Sequence, residues 1–217
     1  MNNKNKINIG VAGLGTVGCG VINLLKKNKV EIFKRTGFEI SIVSVSASNK
    51  DKKRDCDIKG LNFYTDPLEM VRKENIDILV ELIGGESVAK ELVIEALEKK
   101  IHIVTANKAL IALHGNDISE ISNKQGCDVA FEASVAGAVP IIKVIRESLN
   151  ANEIEWVAGI INGTTNYILT EMLKSKKNFN IVLKEAQDLG YAEADPSFDV
   201  GGIDAAHKLT ILSSICF

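Results

Sequence analysis

Asp204 and Lys208 stand four residues apart. On a helix that spacing puts a carboxylate and an ammonium on one face, where a single pocket sees both. An ammonium within hydrogen-bond reach of a carbonyl oxygen stabilises charge developing there and supplies its proton, and in reverse it serves as a base. Lys108 is a second candidate, because it follows the predicted strand 102–105, at what would be the carboxyl edge of the sheet. Ligands of open α/β sheets bind at that edge. For each lysine the plain alternative is a surface charge paired with a neighbouring carboxylate.

The remaining chemistry is carried by Gly13, Leu14, Gly15, Thr16, Val17 and Gly18. This GxGxxG run follows the apolar alternation of Ile7, Ile9 and Val11 and precedes Val21, Ile22, Leu24 and Leu25 at helical spacing. In that setting Gly13 permits the tight turn, Gly15 lets the backbone approach a pyrophosphate, and Gly18 lets the helix pack on its strand. The N–H groups opening the helix then face the phosphates. The context predicts a site for a nicotinamide dinucleotide, which moves a hydride.

The elements that must hold these residues alternate. Strands are predicted at 7–11, 40–47, around Phe63 and Tyr64, and at 78–82, 102–105 and 128–132. Helices are predicted after the glycine turn, after Asp66-Pro67, over 87–99 and from about Lys108. Strands alternating with helices predict an α/β fold with a doubly wound parallel sheet of Rossmann type. From Ala136 the texture changes: Pro140 opens a predicted helix through Leu149, and 153–161 reads as one long strand. Helices from Thr164 or Thr165, over 181–189 and from about Ile203 follow, with a polar segment at 190–202. We therefore divide the 217 residues into a dinucleotide-binding domain, 1–149, and part of an α+β substrate-binding and catalytic domain, 150–217. The apolar final stretch 208–217 lacks a capping glycine or polar tail, which predicts a fragment.

Bulk properties narrow the function classes. A net charge of −2 gives no basic excess for a nucleic-acid partner, and no apolar run approaches the ~20 residues needed to cross a membrane. The polar start 1–6 has no signal-peptide pattern, so a soluble cytoplasmic protein is expected. Cys19, Cys56, Cys127 and Cys216 form no CxxC pair, and His102, His114 and His207 have no ligand spacing. We expect buried free thiols and no transition metal. Cys127 has no histidine beside it, which argues against covalent thiol chemistry of the semialdehyde-dehydrogenase type.

The second predicted strand ends in Ser46-Ala47-Ser48-Asn49-Lys50, without the acidic residue that would bind the ribose hydroxyls of NAD. Lys50, Lys52, Lys53 or Arg54 can reach a 2′-phosphate, or they form a solvated loop. We favour NADP and leave NAD open.

Six blocks together resemble the homoserine dehydrogenase family: GLGTVG at 13–18, ELIGG at 81–85, TANKAL at 105–110, EASVAGAVPII at 132–142, NGTTNYIL at 162–169 and LGYAEADPSFDVGGIDAAHKL at 189–209. They span nearly the whole chain, and the last two are the specific ones. The resemblance implies NAD(P)-dependent interconversion of L-homoserine and L-aspartate 4-semialdehyde, on the route to threonine and methionine. It implies Lys208 as proton donor and acceptor, Lys108 between nicotinamide and substrate, Glu193 and Asp204 at homoserine, and Gly190 near the cofactor. Asp199 is taken with the substrate residues. Glu132, Val135, Gly137 and Val139 match a site for a sodium-like cation, held by oxygen ligands.

Ser48 and Asn49 stand where many relatives carry Arg-Asp. On this reading we expect the family's later elements and any regulatory domain to be missing from this chain, and full-length members to be homodimers. The competing expectation is a truncated chain that binds dinucleotide but does not turn over substrate.

Overall fold

The computed structural model describes residues 5–217. It contains two compact units, one extending to Ser134 and the other Val135–Phe217, and each is described by itself.

The first unit is built on six strands: β1 (Lys6–Ala12), β2 (Glu39–Ser46), β3 (Asn62–Tyr64), β4 (Ile78–Glu81), β5 (His102–Thr105) and β6 (Val129–Ala130). They lie in the order β3-β2-β1-β4-β5-β6, and every pairing is parallel. The expected doubly wound sheet therefore forms. Its order reverses between β1 and β4, where crevices in such sheets receive ligands. The apolar alternation of β1 feeds a core of Ile9, Val11, Leu14, Ile22, Val45 and Val80.

Helices α1 (Thr16–Lys27), α3 (Pro67–Lys73), α4 (Ser87–Glu98) and α5 (Lys108–Gln125) fill the expected places. Asp66 caps α3 by accepting from Leu68 N–H, and Pro67 needs no donor at that first turn. Asn107 caps α5 through Leu110 N–H. Between α1 and β2 stands a helix not expected from sequence, α2 (Lys29–Thr36), which ends at left-handed Gly37.

In the second unit, α6 (Ile141–Lys143) follows Pro140 and runs into a π-helical turn, Val144–Ser148. Then come α7 (Gly163–Ser175), α8 (Phe179–Asp188), α9 (Ser197–Val200) and α10 (Ile203–Cys216). Ile168, Val182, Ala186 and Ala192 form one core cluster. The short α9 interrupts what sequence reads as an unstructured polar segment. The expected strand at 153–161 does not form: among the described residues it has no ladder partner. Trp156 is 73% exposed and Ile160 80%, so neither apolar side chain has the burial that fixes a strand. Among the described residues no helix is long and apolar enough to cross a membrane.

Unpaired backbone should exchange its amide hydrogens freely. Hydrogen exchange followed by mass spectrometry is expected to label 153–160 before β1 and β4. Equal protection of the two regions would show a pairing that this structure lacks.

Candidate functional site

Register aligns the carboxyl edge of the sheet. Ala12 pairs with Ser46 on one side and Glu81 on the other, and Glu81 pairs with Thr105. Beyond this row the chain leaves β1 through the glycine turn. Gly13 has φ +101°, and a Cβ there would stand 2.4 Å from the Leu82 carbonyl oxygen. A Cβ on Gly18 would stand 2.0 Å from the Gly13 oxygen. Both glycines are required by the protein's own backbone. Gly15 differs, because a Cβ there meets nothing within 4 Å. It is the N-cap of α1 with extended backbone and no side-chain cap, so the first N–H groups of a twelve-residue helix have no capping side chain beside this open room. Open room before uncapped, partly positive N–H groups fits a pyrophosphate. Leu14 is buried in the core, whereas Thr16 and Val17 are exposed beside Gly15.

Next to this turn lies a polar network that sequence reasoning did not single out. Glu81 is fully buried. Its carboxyl accepts from Thr105 Oγ1 at 2.5 Å, Ile83 N–H at 2.8 Å and Gly84 N–H at 3.3 Å. Thr105 Oγ1 in turn accepts from Asn107 N–H at 2.9 Å, while Asn107 Nδ2 donates to the Gly85 carbonyl at 2.7 Å. These bonds join the ends of β4 and β5 to the start of α5, whose first residue is Lys108. The half-buried Lys108 thus sits at the carboxyl edge, as expected.

After β2 the basic loop folds on itself. Arg54 donates to the carbonyls of Asn49, Lys50 and Lys52, and its guanidinium lies 5.8 Å from the Phe63 ring centre. Lys50 lies over the same ring at 6.0 Å.

The second unit gathers Lys208, Asp204 and Asp199. Lys208 Nζ donates to Asp204 Oδ2 at 2.8 Å and to the Ile161 carbonyl at 2.7 Å. The Asp204 side chain is only 5% exposed, so it depends on this cation and on Asn162 Nδ2 at 2.9 Å. Asn162 Nδ2 also donates to Asp199 Oδ1 at 2.9 Å, and Asn162 Oδ1 caps α7 through Thr165 N–H at 2.8 Å. Thr164 Oγ1 lies 2.7 Å from Asp199 Oδ2. Asn162 and Thr164 were quoted in a family block but given no role; their signal was an Asn directly before Gly-Thr-Thr, a helix start.

Glu193 is exposed, and its carbonyl accepts from Gln187 Nε2. Gly190, at φ +77°, turns the chain after α8. Asp195 caps the turn into α9, where hydrogen bonds from the Ser197 hydroxyl and N–H hold its carboxyl below the usual range. Of the cation candidates, Glu132 opens a 3-10 turn, Glu132–Ser134, in the first unit. Val135, Gly137 and Val139 belong to the second, where Ala136 and Ala138 take positive φ and the Val139 carbonyl accepts from Ile141 N–H at 2.8 Å.

Comparison with known proteins is consistent with both units. The family described as "Homoserine dehydrogenase, NAD binding domain" matches residues 13–132, and "Homoserine dehydrogenase" matches 140–217. A homoserine dehydrogenase of Pseudomonas aeruginosa is 53% identical over 97% of this chain and 48% of its own length. The crystal structure of one from Thiobacillus denitrificans superposes with TM-score 0.90 at 53% identity, over 98% of this chain and 49% of that one. A hyperthermophilic archaeal homoserine dehydrogenase in complex with NADPH gives TM-score 0.84 at 29% identity, over 98% and 70%. The chain spans about half the length of the curated relatives it matches. The first unit is thus a nicotinamide-dinucleotide-binding domain.

The glycines should separate on mutation. Gly15→Val is expected to fold with stability within about 1 kcal/mol of the parent and to lose at least about tenfold in dinucleotide affinity. Gly18→Ala, with backbone in its way, should lose about 1–3 kcal/mol or more. Equilibrium unfolding and fluorescence titration with NADPH check both, and unchanged affinity in folded Gly15→Val would remove the pyrophosphate from this turn. Glu81→Leu leaves three donors without their acceptor, at about 1–3 kcal/mol for each that stays buried. Thr105→Val removes one of those donors and should cost less, so equal losses from the two in urea titration would contradict the network.

Proposed function

The chain belongs to the homoserine dehydrogenase family, and we propose that it carries dinucleotide-binding and proton-transfer machinery for interconverting L-homoserine and L-aspartate 4-semialdehyde. One observation carries this reading: the Lys208 ammonium is fixed by a buried carboxylate on its own helix face.

An ammonium has three N–H groups. Two of those on Lys208 go to Asp204 and the Ile161 carbonyl, and we assign the third to the substrate oxygen. In the reducing direction Lys208 gives its proton to that oxygen, and in the oxidising direction its amine takes the hydroxyl proton. When bound, the nicotinamide supplies or accepts the hydride at the carbon bearing that oxygen. Asp204 holds Lys208 in place, and Asn162 holds Asp204. We assign Glu193, Asp199 and Asp204 to the amino-acid substrate, whose ammonium suits carboxylates. Lys108, at the carboxyl edge of the first unit's sheet, is assigned to the nicotinamide end of the cofactor.

We favour NADP over NAD because no carboxylate stands at the end of β2 while Lys50, Lys52 and Lys53 follow it. Arg54, engaged with three carbonyls, shapes that loop. The NADPH complex of the archaeal relative supports the same preference. For a sodium-like cation we assign oxygen donors in the second unit to Val135, Gly137 and Val139. A cytoplasmic location and homodimeric assembly complete the reading.

A second reading, dinucleotide binding without turnover, draws on the exposed and unpaired backbone around Trp156 and Ile160. Assay of the purified chain decides between them, since NADPH binding without homoserine oxidation selects the second.

In an active form of the enzyme, Lys208→Met is expected to lower turnover of homoserine about 10²–10⁴-fold, the usual cost of losing a positioned acid or base. Dinucleotide affinity should stay near normal. The control is Lys174→Met, which removes only an exposed ion pair with Glu171. Near-parental turnover by Lys208→Met would move the proton-transfer role elsewhere, first to Lys108.

A further inference from the structure

Cys19 follows directly on the last glycine of the dinucleotide turn and is buried in α1. Cys56 lies 37 residues later in the loop after β2, half-buried, and its sulfur is 2.8 Å from that of Cys19. The contact belongs to a docked surface. Asn23 Nδ2 donates to the Asp55 carbonyl at 2.7 Å, and Lys26 Nζ to the Asp57 carbonyl at 2.5 Å. Cys19, Asn23 and Lys26 follow one stripe of α1, and they meet Cys56, Asp55 and Asp57 on the loop. The sulfurs need to close by only about 0.8 Å to reach a bond of about 2.05 Å.

We propose that Cys19 and Cys56 form a reversible dithiol/disulfide site that ties the basic loop to the dinucleotide helix, with a low-molecular-weight disulfide of the glutathione type as its oxidant. The Cys56 thiolate attacks one sulfur of that disulfide and expels the first thiolate. The Cys19 thiolate then attacks the Cys56 sulfur of the mixed disulfide and expels the second. Two protein thiols are oxidised to one disulfide, the glutathione-type disulfide is reduced to two thiols, and the two protons leave with them. Of the pair Cys56 is the entry point, since Cys19 is 6% exposed. In a reducing compartment such a bond acts as a sensor rather than a staple.

Burial and the contact with Cys19 push the Cys56 thiol up to about 11, while Arg54 and Lys26 nearby pull the other way. The reactive thiolate is therefore scarce at neutral pH, and oxidation should accelerate toward about tenfold per pH unit between about pH 7 and 9. The closed bond would restrict the segment holding Lys50, Lys52, Lys53 and Arg54, each a tryptic site.

The test treats the folded protein with oxidised glutathione, blocks the remaining thiols and maps peptides by mass spectrometry. The expected result is a Cys19–Cys56 cross-linked peptide lacking two hydrogens, reversed by dithiothreitol, with Cys127 and Cys216 still available for blocking. Tryptic nicking at 50–54 should slow in the oxidised form. Cys19→Ser should stop at glutathione on Cys56, and Cys56→Ser should leave Cys19 reduced. Glutathione retained on Cys56 of the parent without a cross-link would overturn the proposal, as would a cross-link that forms only after unfolding. The chemistry is read without any cofactor, so its failure is separate from failure of the dehydrogenase reading.

Discussion

Parallel pairing forces Tyr64, Ser46, Ala12, Glu81 and Thr105 into one row at the carboxyl edge of the sheet. The first unit's site follows from how the chain leaves that row. At β1 the exit runs against the exit from β4, with Gly13 so near the Leu82 carbonyl that no side chain fits between them. The crowding fixes the direction of α1 and hence of its uncapped N–H groups. One register position further along the sheet, two polar side chains meet in the interior, where an unpaired carboxyl would be costly. Glu81 is satisfied by Thr105 and by the backbone of its own exit loop, so the same bonds that make its burial tolerable also set the start of α5.

The second unit reaches a comparable rigidity through side chains. Asp204 is buried on α10, and breaking a buried ion pair by removing one partner typically costs about 3–5 kcal/mol. Lys208 is therefore needed for burial of Asp204, whatever else it does. Asn162 has three duties, because it caps α7 and donates toward two aspartates. Since one amide spans these groups, the positions of α7, α9 and α10 are coupled to that of the ammonium.

What could be read from sequence was what is local in sequence. The GxGxxG run, the Asp66-Pro67 start and the Asp204–Lys208 spacing each declare themselves within a few residues. The helix α2 was missed because only Asn28 separates it from α1 and none of its residues is buried, so its apolar pattern carried no burial signal. The run 153–161 was misread for the opposite reason: Ile154, Trp156, Val157 and Ile160 have strand propensity, but a strand exists only with a neighbour to pair with. Glu81 and Thr105, 24 residues apart, become partners only through register. The contact between Cys19 and Cys56 was hidden in the same way. The loop's return to α1 depends on Asn23 and Lys26 binding backbone carbonyls, which no side-chain pattern announces.

The two units hence differ in what evolution can change. A site shaped by backbone against backbone admits no compensation at Gly13 or Gly18, because neither neighbour is a side chain that could be shortened. Gly15 escapes that constraint within the protein, so its small size is explained by the space it leaves for a ligand. In the second unit every contact of the cluster includes a side chain, and a change at one position can in principle be met by a change at its partner. A buried aspartate and its lysine could give way together to an apolar pair of similar volume with little loss of stability. Folding alone does not demand the Asp204–Lys208 pair, which is what the proton-transfer role proposed for Lys208 would lead one to find.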